Sequence, residues 1–254
     1  MDLLKDKIKN GKIPKHWYMD LNTLNTIKNN KPTFSTNASF NSNFASKIDN
    51  LLLELENFIP DFSWFLVQQE IDTIHGIRHM LRVSFLSMLL ISLDNKIPPE
   101  FFKLSAVTSS LHDLRRRNDL LDVGHAKRGA RWFINNVPLI KEKYNIELTD
   151  EEVDEIYYAI LFHDIPYKKI SDDENYIKYN NLIDITKTAD ALDRYRLPRV
   201  EWWIKDKLIS LVPSDDIKHV AYQLLVLSET HFLNGFNGIN SVLKALESLK
   251  NLNL

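Results

Sequence analysis

Residues 149–164 read TDEEVDEIYYAILFHD, and this stretch decides the class of fold. Thr149 and Glu152 have the spacing of a capping box, in which a hydroxyl and a carboxylate satisfy amide groups that a helix start leaves unpaired. Val153, Ile156, Ile160 and His163 then follow i, i+3, i+7 and i+10, so they share the inward face of a helix predicted to run to about Phe162. Pro166 keeps it from continuing far. A lone histidine on such a face is more often a hydrogen-bonded core residue than a ligand, so His163-Asp164 acquires meaning only from the rest of the chain.

Working outward, the same helical period recurs from Ile48 onward. Helices are expected over Ile48 to Phe58, Ile77 to Leu93, and from Pro98-Pro99 to the pair His112-Asp113. Others should run from near Gly124 to before Pro138, and over Leu182 to Arg194, Val200 to Leu211, Asp215 to Ser228 and Ile239 to Leu249. Glycine is scarce, with 6 in 254 residues, and no hairpin signal lies between alternating apolar runs. The expected fold is all-α, a helical bundle. Residues 29–46, NNKPTFSTNASFNSNFAS, are rich in Asn and Ser and read as a loop or linker. An ordered loop packed through Phe34, Phe40 and Phe44 reads equally well. The expected organisation is an N-terminal arm and polar linker over 1–46, then one helical domain over 47–254.

Composition narrows the function. Hydrophobic residues make up 44% and the formal net charge is -2, so no global basic field draws nucleic acid to the surface. With 0 cysteines, disulfides and thiolate sites are impossible, and any metal must sit on histidine and carboxylate. The most apolar stretch, Val83 to Leu93, is too short to span a bilayer, and residues 1–20 lack the apolar run of a signal peptide. A soluble cytoplasmic protein with no membrane partner is expected. The oligomeric state is left open.

Five of the 8 histidines fall in short polar motifs along successive expected helices. In HGIRHMLRV (75–83), a helix would put His75, His79 and Arg82 on one face, with Ile77, Leu81 and Phe85 free to face the core. In FFKLSAVTSSLHD (101–113), Leu104, Val107 and Leu111 form the apolar face that delivers His112-Asp113. Neighbours on a helix point about 100° apart, but at a helix end both can reach one pocket. Imidazole with carboxylate suits Zn²⁺, Fe, Mn²⁺ or Ni²⁺, and an aspartate can bridge two ions. In KTADALDRYRLPRV (187–200), Ala189 and Leu192 pack while Lys187, Asp190 and Arg194 share another face. A carboxylate between helices needs a cation, which a metal, Lys or Arg can supply. Arg116, Arg117, Lys127 and Arg128 flank the motifs and could hold phosphate oxygens. Asp119 and Asp122 could orient ligands or cap the loop before Gly124. Tyr195, Trp202 and Trp203 could stack on a base or fill the core.

The order His79, His112-Asp113, His125, His163, Asp190 resembles the metal-binding signature of the HD superfamily of metal-dependent phosphohydrolases. More closely, HGIRHMLRV, LHDLRRRND, GHAKRGA and TADALDRYRLPRV resemble a bacterial group of small HD-domain proteins over roughly His75 to Val200. Two departures stand out: Ala126 where the group has Gly, and Ala191 where it has Arg in a DADRLD block. Neither removes a ligand, but the second removes one phosphate contact.

The resemblance implies His79, His112, Asp113 and Asp190 as a basic metal set, with His125 and His163 completing a second position. One or two divalent ions (Mn, Fe, Ni, Co or Zn) would then activate water against a phosphoester. Asp113, Arg116 and His75 are the catalytic candidates, Arg116 matching the group's HD..R position and His75 orienting a ligand from behind it or contacting the substrate. The implied substrate is a phosphorylated small molecule, such as a nucleotide, or a nucleic-acid end. Two other functions use the same residues: an HD-type di-iron oxygenase, or a non-catalytic regulatory module.

Overall fold

The computed structural model of the protein describes residues 15–35, 38–94 and 96–250, and of residues 38–43 and 45 the backbone alone. Residues 1–14 of the expected arm lie outside these. Among the described residues the regular structure is all helical: α1 (Leu21–Asn29), α2 (Ala38–Asn57), α3 (Ile77–Leu93), α4 (Phe101–Leu111), α5 (His125–Asn135), α6 (Val137–Tyr144), α7 (Asp150–Phe162), α8 (Glu174–Leu192), α9 (Asp215–Leu233) and α10 (Gly238–Leu249). No helix among them is long and apolar enough to cross a membrane.

The capping box opens α7 as expected. Glu152 Oε2 accepts from the Thr149 amide at 2.7 Å, and Thr149 Oγ1 accepts from the Glu152 amide at 3.3 Å. Asp150, Glu151 and Glu152 fill the first turn, where the positive end of the helix dipole favours them. Ile156, Ala159 and Ile160 are fully buried.

The bundle is organised around α3, which packs against α2, α4, α8, α9 and α10. Every residue from Ile77 to Ile91 is buried. A helix surrounded on all sides should be apolar on all sides, yet this one carries Arg78, His79 and Arg82. Those three must therefore find partners inside the protein.

The helix does not reach back to His75. It begins after Gly76, whose backbone lies so close to the preceding turn that a Cβ there would stand 2.1 Å from the Ile71 carbonyl oxygen and 2.3 Å from that of Glu70. The Ile77 amide also donates to Ile71 O at 2.7 Å. His75 thus sits in a tight turn rather than on the helical face shared by His79 and Arg82.

Three further expectations are corrected. Residues 38–46 are helix rather than linker, because Phe44, Ile48, Leu51 and Leu55 form one buried stripe that outweighs the weak helix propensity of Asn and Ser. Phe34, by contrast, lies in a non-helical segment and stacks on His219, with ring centroids 5.0 Å apart. Pro138 does end α5, but it also starts α6, where the first turn tolerates its missing amide hydrogen. Val200 to Leu211 forms two short 3-10 turns instead of a helix. Its carbonyls are taken by distant side chains: Arg194 Nε donates to Trp202 O at 2.6 Å, and Thr188 Oγ1 to Leu211 O at 3.0 Å. In addition, α8 begins at Glu174, well before Leu182, with a non-helical residue at Tyr179.

Two measurements check this account. Gly76→Ala should lower stability by about 2 kcal/mol or more, since backbone atoms must move to admit the methyl group; an unchanged denaturant midpoint would refute the close approach. Burial, reinforced by Glu151, Glu152 and Glu100, pushes Glu155 up to about 7. A carboxyl raised in the folded state stabilises fully below its unfolded value near 4.3, and that contribution is lost as pH climbs through about 7. Glu155→Gln should therefore match the wild-type Tm at pH 4 and exceed it at pH 8, and a pH-independent difference would refute the shift.

Candidate metal centre

Each donor side chain stands where a helix begins or ends, or on the buried helix itself. His79 lies in the first turn of α3. His112 is the residue after α4, followed by Asp113, and His163 is the residue after α7. His125 opens α5, preceded by Gly124 in the left-handed region at φ 85°, and Asp190 lies in the last turn of α8. The chain reversal after Leu111 lets His112 and Asp113 point to one place despite being adjacent.

Donors gather at both oxygens of the Asp113 carboxylate, with His112 close to His79 and Asp190 and also to His163. On one side His79 Nε2 lies 3.2 Å from His112 Nε2, 3.3 Å from Asp190 Oδ1 and 3.6 Å from Asp113 Oδ2. On the other, His125 Nε2 lies 3.1 Å from His163 Nε2 and 3.2 Å from Asp113 Oδ1, with His163 Nε2 3.6 Å from that same oxygen. Donors held about 2.1 Å from one ion and 90–110° apart would be separated by about 3.0–3.4 Å, which is close to these spacings.

The tautomers explain why those nitrogens face one another. His112 Nδ1 is 2.7 Å from Ser109 O, His125 Nδ1 is 2.9 Å from Asp122 O, and His163 Nδ1 is 2.7 Å from Ile160 O. Each partner is the carbonyl three residues earlier. His79 Nδ1 uses Asp193 Oδ2 at 2.8 Å. All four partners only accept, so each Nδ1 carries a hydrogen and a neutral ring keeps its lone pair on Nε2. Two lone pairs 3.1 or 3.2 Å apart repel unless a cation or proton lies between them. This donor set therefore fits divalent metal ions.

The local electrostatics keep the donors available. Burial opposes ionisation of Asp113, but chiefly the Arg116 guanidinium holds it well below the usual carboxylate range. Asp190 is likewise held low against burial, by the positive charge of the nearby Arg196 guanidinium among others. Burial, with His163 and His79 nearby, pushes His112 down to about 3. The two carboxylates stay charged and His112 stays neutral, the protonation states that metal binding requires. His163 moves the other way: the Asp113 carboxylate raises it against burial.

A cavity of about 780 Å³ opens beside the donors, lined by Asp113, His125, His163 and Asp190 and by the candidates His75 and Arg116. Arg116 is pinned by Asn118 O and Leu120 O, leaving Nη1 3.3 Å from His125 Nε2 and 3.5 Å from Asp113 Oδ1. His75 Nδ1 is held 2.7 Å from Asp119 Oδ1, which leaves Nε2 for the cavity. Burial and Glu70 raise Asp119 to about 7, while burial and the guanidinium groups of Arg116 and Arg196 lower His75. The rest of the lining mixes apolar side chains (Ile165, Pro166, Trp202, Ile204, Leu208 and Ile209) with the charged Glu201, Lys205 and Lys207. Tyr195 and Trp203 are buried core residues, with Trp203 Nε1 donating to Leu197 O.

The other flanking cations are placed elsewhere. Arg117 and Lys127 are exposed, and Arg128 pairs with Asp122 at 2.5 Å. The Asp122 carboxylate accepts from the Arg117 amide at 2.7 Å, and its backbone carbonyl accepts from His125 Nδ1 at 2.9 Å.

Sequence reasoning missed four supporting residues. Asp193 ties His79 to Arg82, which reaches it at 2.6 Å and 3.0 Å; Arg82 also meets Glu229 at 2.6 Å, and Glu229 meets Arg78. Only the i, i+3 step from Asp190 to Asp193 hinted at this. Lys187, read earlier as sharing a face with Asp190, instead donates to Phe162 O, His163 O and Ile165 O and so caps the end of α7; burial lowers it to about 8. Arg196 also lines the cavity.

No family model, curated protein or solved structure matches this chain.

Asp193→Asn keeps the side-chain shape but weakens the hold on His79 Nδ1. It should reduce Mn²⁺ affinity about 10- to 100-fold, measured by competition with a chromogenic chelator. An affinity equal to wild type would mean that this hydrogen bond does not orient the ligand.

Proposed function

We propose that this protein is a metal-dependent phosphohydrolase or phosphodiesterase acting on a nucleotide or nucleic-acid phosphoester. One observation carries the reading: Nε2 atoms of His79 and His112, and of His125 and His163, face each other around the Asp113 carboxylate, and Asp113, His125, His163 and Asp190 line a cavity that also holds buried guanidinium groups. The sequence resemblance to the HD superfamily supports it independently.

His79, His112 and Asp190 would hold one divalent ion, His125 and His163 a second, and Asp113 would lie between them. Such ions supply Lewis acidity, making hydroxide available near neutral pH and withdrawing charge from phosphoryl oxygens. Arg116 binds a phosphoryl oxygen through Nη1, its other nitrogens being tethered to backbone carbonyls. Oriented by Asp119 at Nδ1, a neutral His75 presents its Nε2 lone pair to accept a proton from the attacking water. Trp202, Ile204 and Ile209 offer apolar surface to the non-reacting part of the substrate, and Lys205 and Lys207 offer it positive charge.

Buried guanidinium groups suit an anionic substrate, and oxygen dependence separates hydrolysis from di-iron oxygenase chemistry. The full chain, loaded in turn with Mn²⁺, Ni²⁺, Fe²⁺, Co²⁺ and Zn²⁺, is assayed without O₂ on an aryl phosphomonoester, an aryl phosphodiester and a nucleotide panel. Hydrolysis is expected with at least one metal and should be abolished by chelator and by Asp113→Ala. Inactivity with every metal, or Asp113→Ala retaining both metal and activity, would overturn the proposal.

A further inference from the structure

The cations around the cavity differ in how fully their hydrogens are used. Lys187 has three backbone carbonyls for its three hydrogens. Arg116 has two carbonyls and faces the donor atoms. Arg194 gives Nε to Trp202 O. Arg196 is different: it is 3% exposed, and its Nε and Nη1 are buried without a hydrogen-bond partner among the described residues.

Its approaches to acids are long. Nη2 is 3.8 Å from Asp190 Oδ1, and Nη1 is 3.8 Å from Asp193 Oδ2, beyond hydrogen-bond distance. Both carboxylates have closer partners: Asp193 accepts from Arg82 and His79, and Asp190 faces His79. The charge balance agrees. Carboxylates outweigh burial at Arg82 and Arg116 and raise both, whereas burial outweighs Asp190 and Asp193 at Arg196 and lowers it. A buried guanidinium with unused hydrogens at a cavity wall lacks an anion.

We propose that Arg196 is an oxyanion receptor that takes the phosphate group of the substrate on the Asp190 side of the cavity. The ligand class is a tetrahedral phosphate oxyanion, matched by the several donors of a guanidinium. This rests on the phosphoester reading above for its substrate, but the receptor itself can be tested without turnover.

Inorganic phosphate is titrated calorimetrically into the full chain, both EDTA-treated and Mn²⁺-loaded, with metal content measured in parallel. The wild type should bind phosphate. Arg196→Met should weaken binding about tenfold or more, the loss expected for charge-assisted hydrogen bonds, with metal content unchanged. Arg196→Lys should fall between the two, and it carries the test if Arg196→Met does not fold. Arg194→Met should bind as wild type does. Equal phosphate affinity in wild type and both Arg196 variants, or no phosphate binding by the wild type, would overturn the receptor. Arg196-dependent phosphate binding by a protein that hydrolyses no phosphoester with any metal would instead remove the hydrolase reading and leave the receptor standing.

Discussion

The carboxylate of Asp193 connects the core of this protein to its chemistry. It lies fully buried at the end of α8, holding His79 Nδ1 at 2.8 Å with one oxygen and gripping Arg82 through both. Arg82 passes the connection to Glu229 on α9, and Glu229 passes it to Arg78. The central helix can carry Arg78, His79 and Arg82 through the core only because α8 and α9 bring carboxylates to meet them. Removing one partner from such a buried ionic chain typically costs about 3–5 kcal/mol. Positioning His79 and holding three helices together are thus one task.

The other donors use a local device. His112, His125 and His163 each hydrogen-bond through Nδ1 to the carbonyl three residues before them, at a helix boundary where carbonyl and side chain lie close. Backbone geometry alone sets these three tautomers, and only His79 depends on a distant carboxylate. The helices then need only bring their ends to one place. Here α7 and α8, packed against α4, place His163 and Asp190 beside the His112-Asp113 turn.

Much of this was legible in the chain. The capping box at Thr149, the span of α3 and the absence of strands follow from period and cap chemistry, which act within a few residues. The six donor positions stood out as polar motifs at the edges of apolar helices, and they lie together in the folded protein. The helix assigned to Val200–Leu211 was not to be found by that route, because Arg194 and Thr188 take carbonyls there from outside the segment. The same holds for residues 38–46, where a buried stripe running on to Leu55 overrides polar composition.

The sequence by itself determined the helical class, the helix boundaries near the donors, and a donor chemistry limited to imidazole and carboxylate by the lack of cysteine. Those depend on short-range hydrogen bonds and on side-chain type. Tertiary structure decided which donors share a group, with Asp113 placing one oxygen toward His79 and the other toward His125 and His163. It also decided which cations keep hydrogens unused: among Arg116, Lys187, Arg194 and Arg196 the sequence shows no difference. The difference arises because backbone carbonyls reach the first three, those for Lys187 from the end of α7, while burial isolates Nε and Nη1 of Arg196.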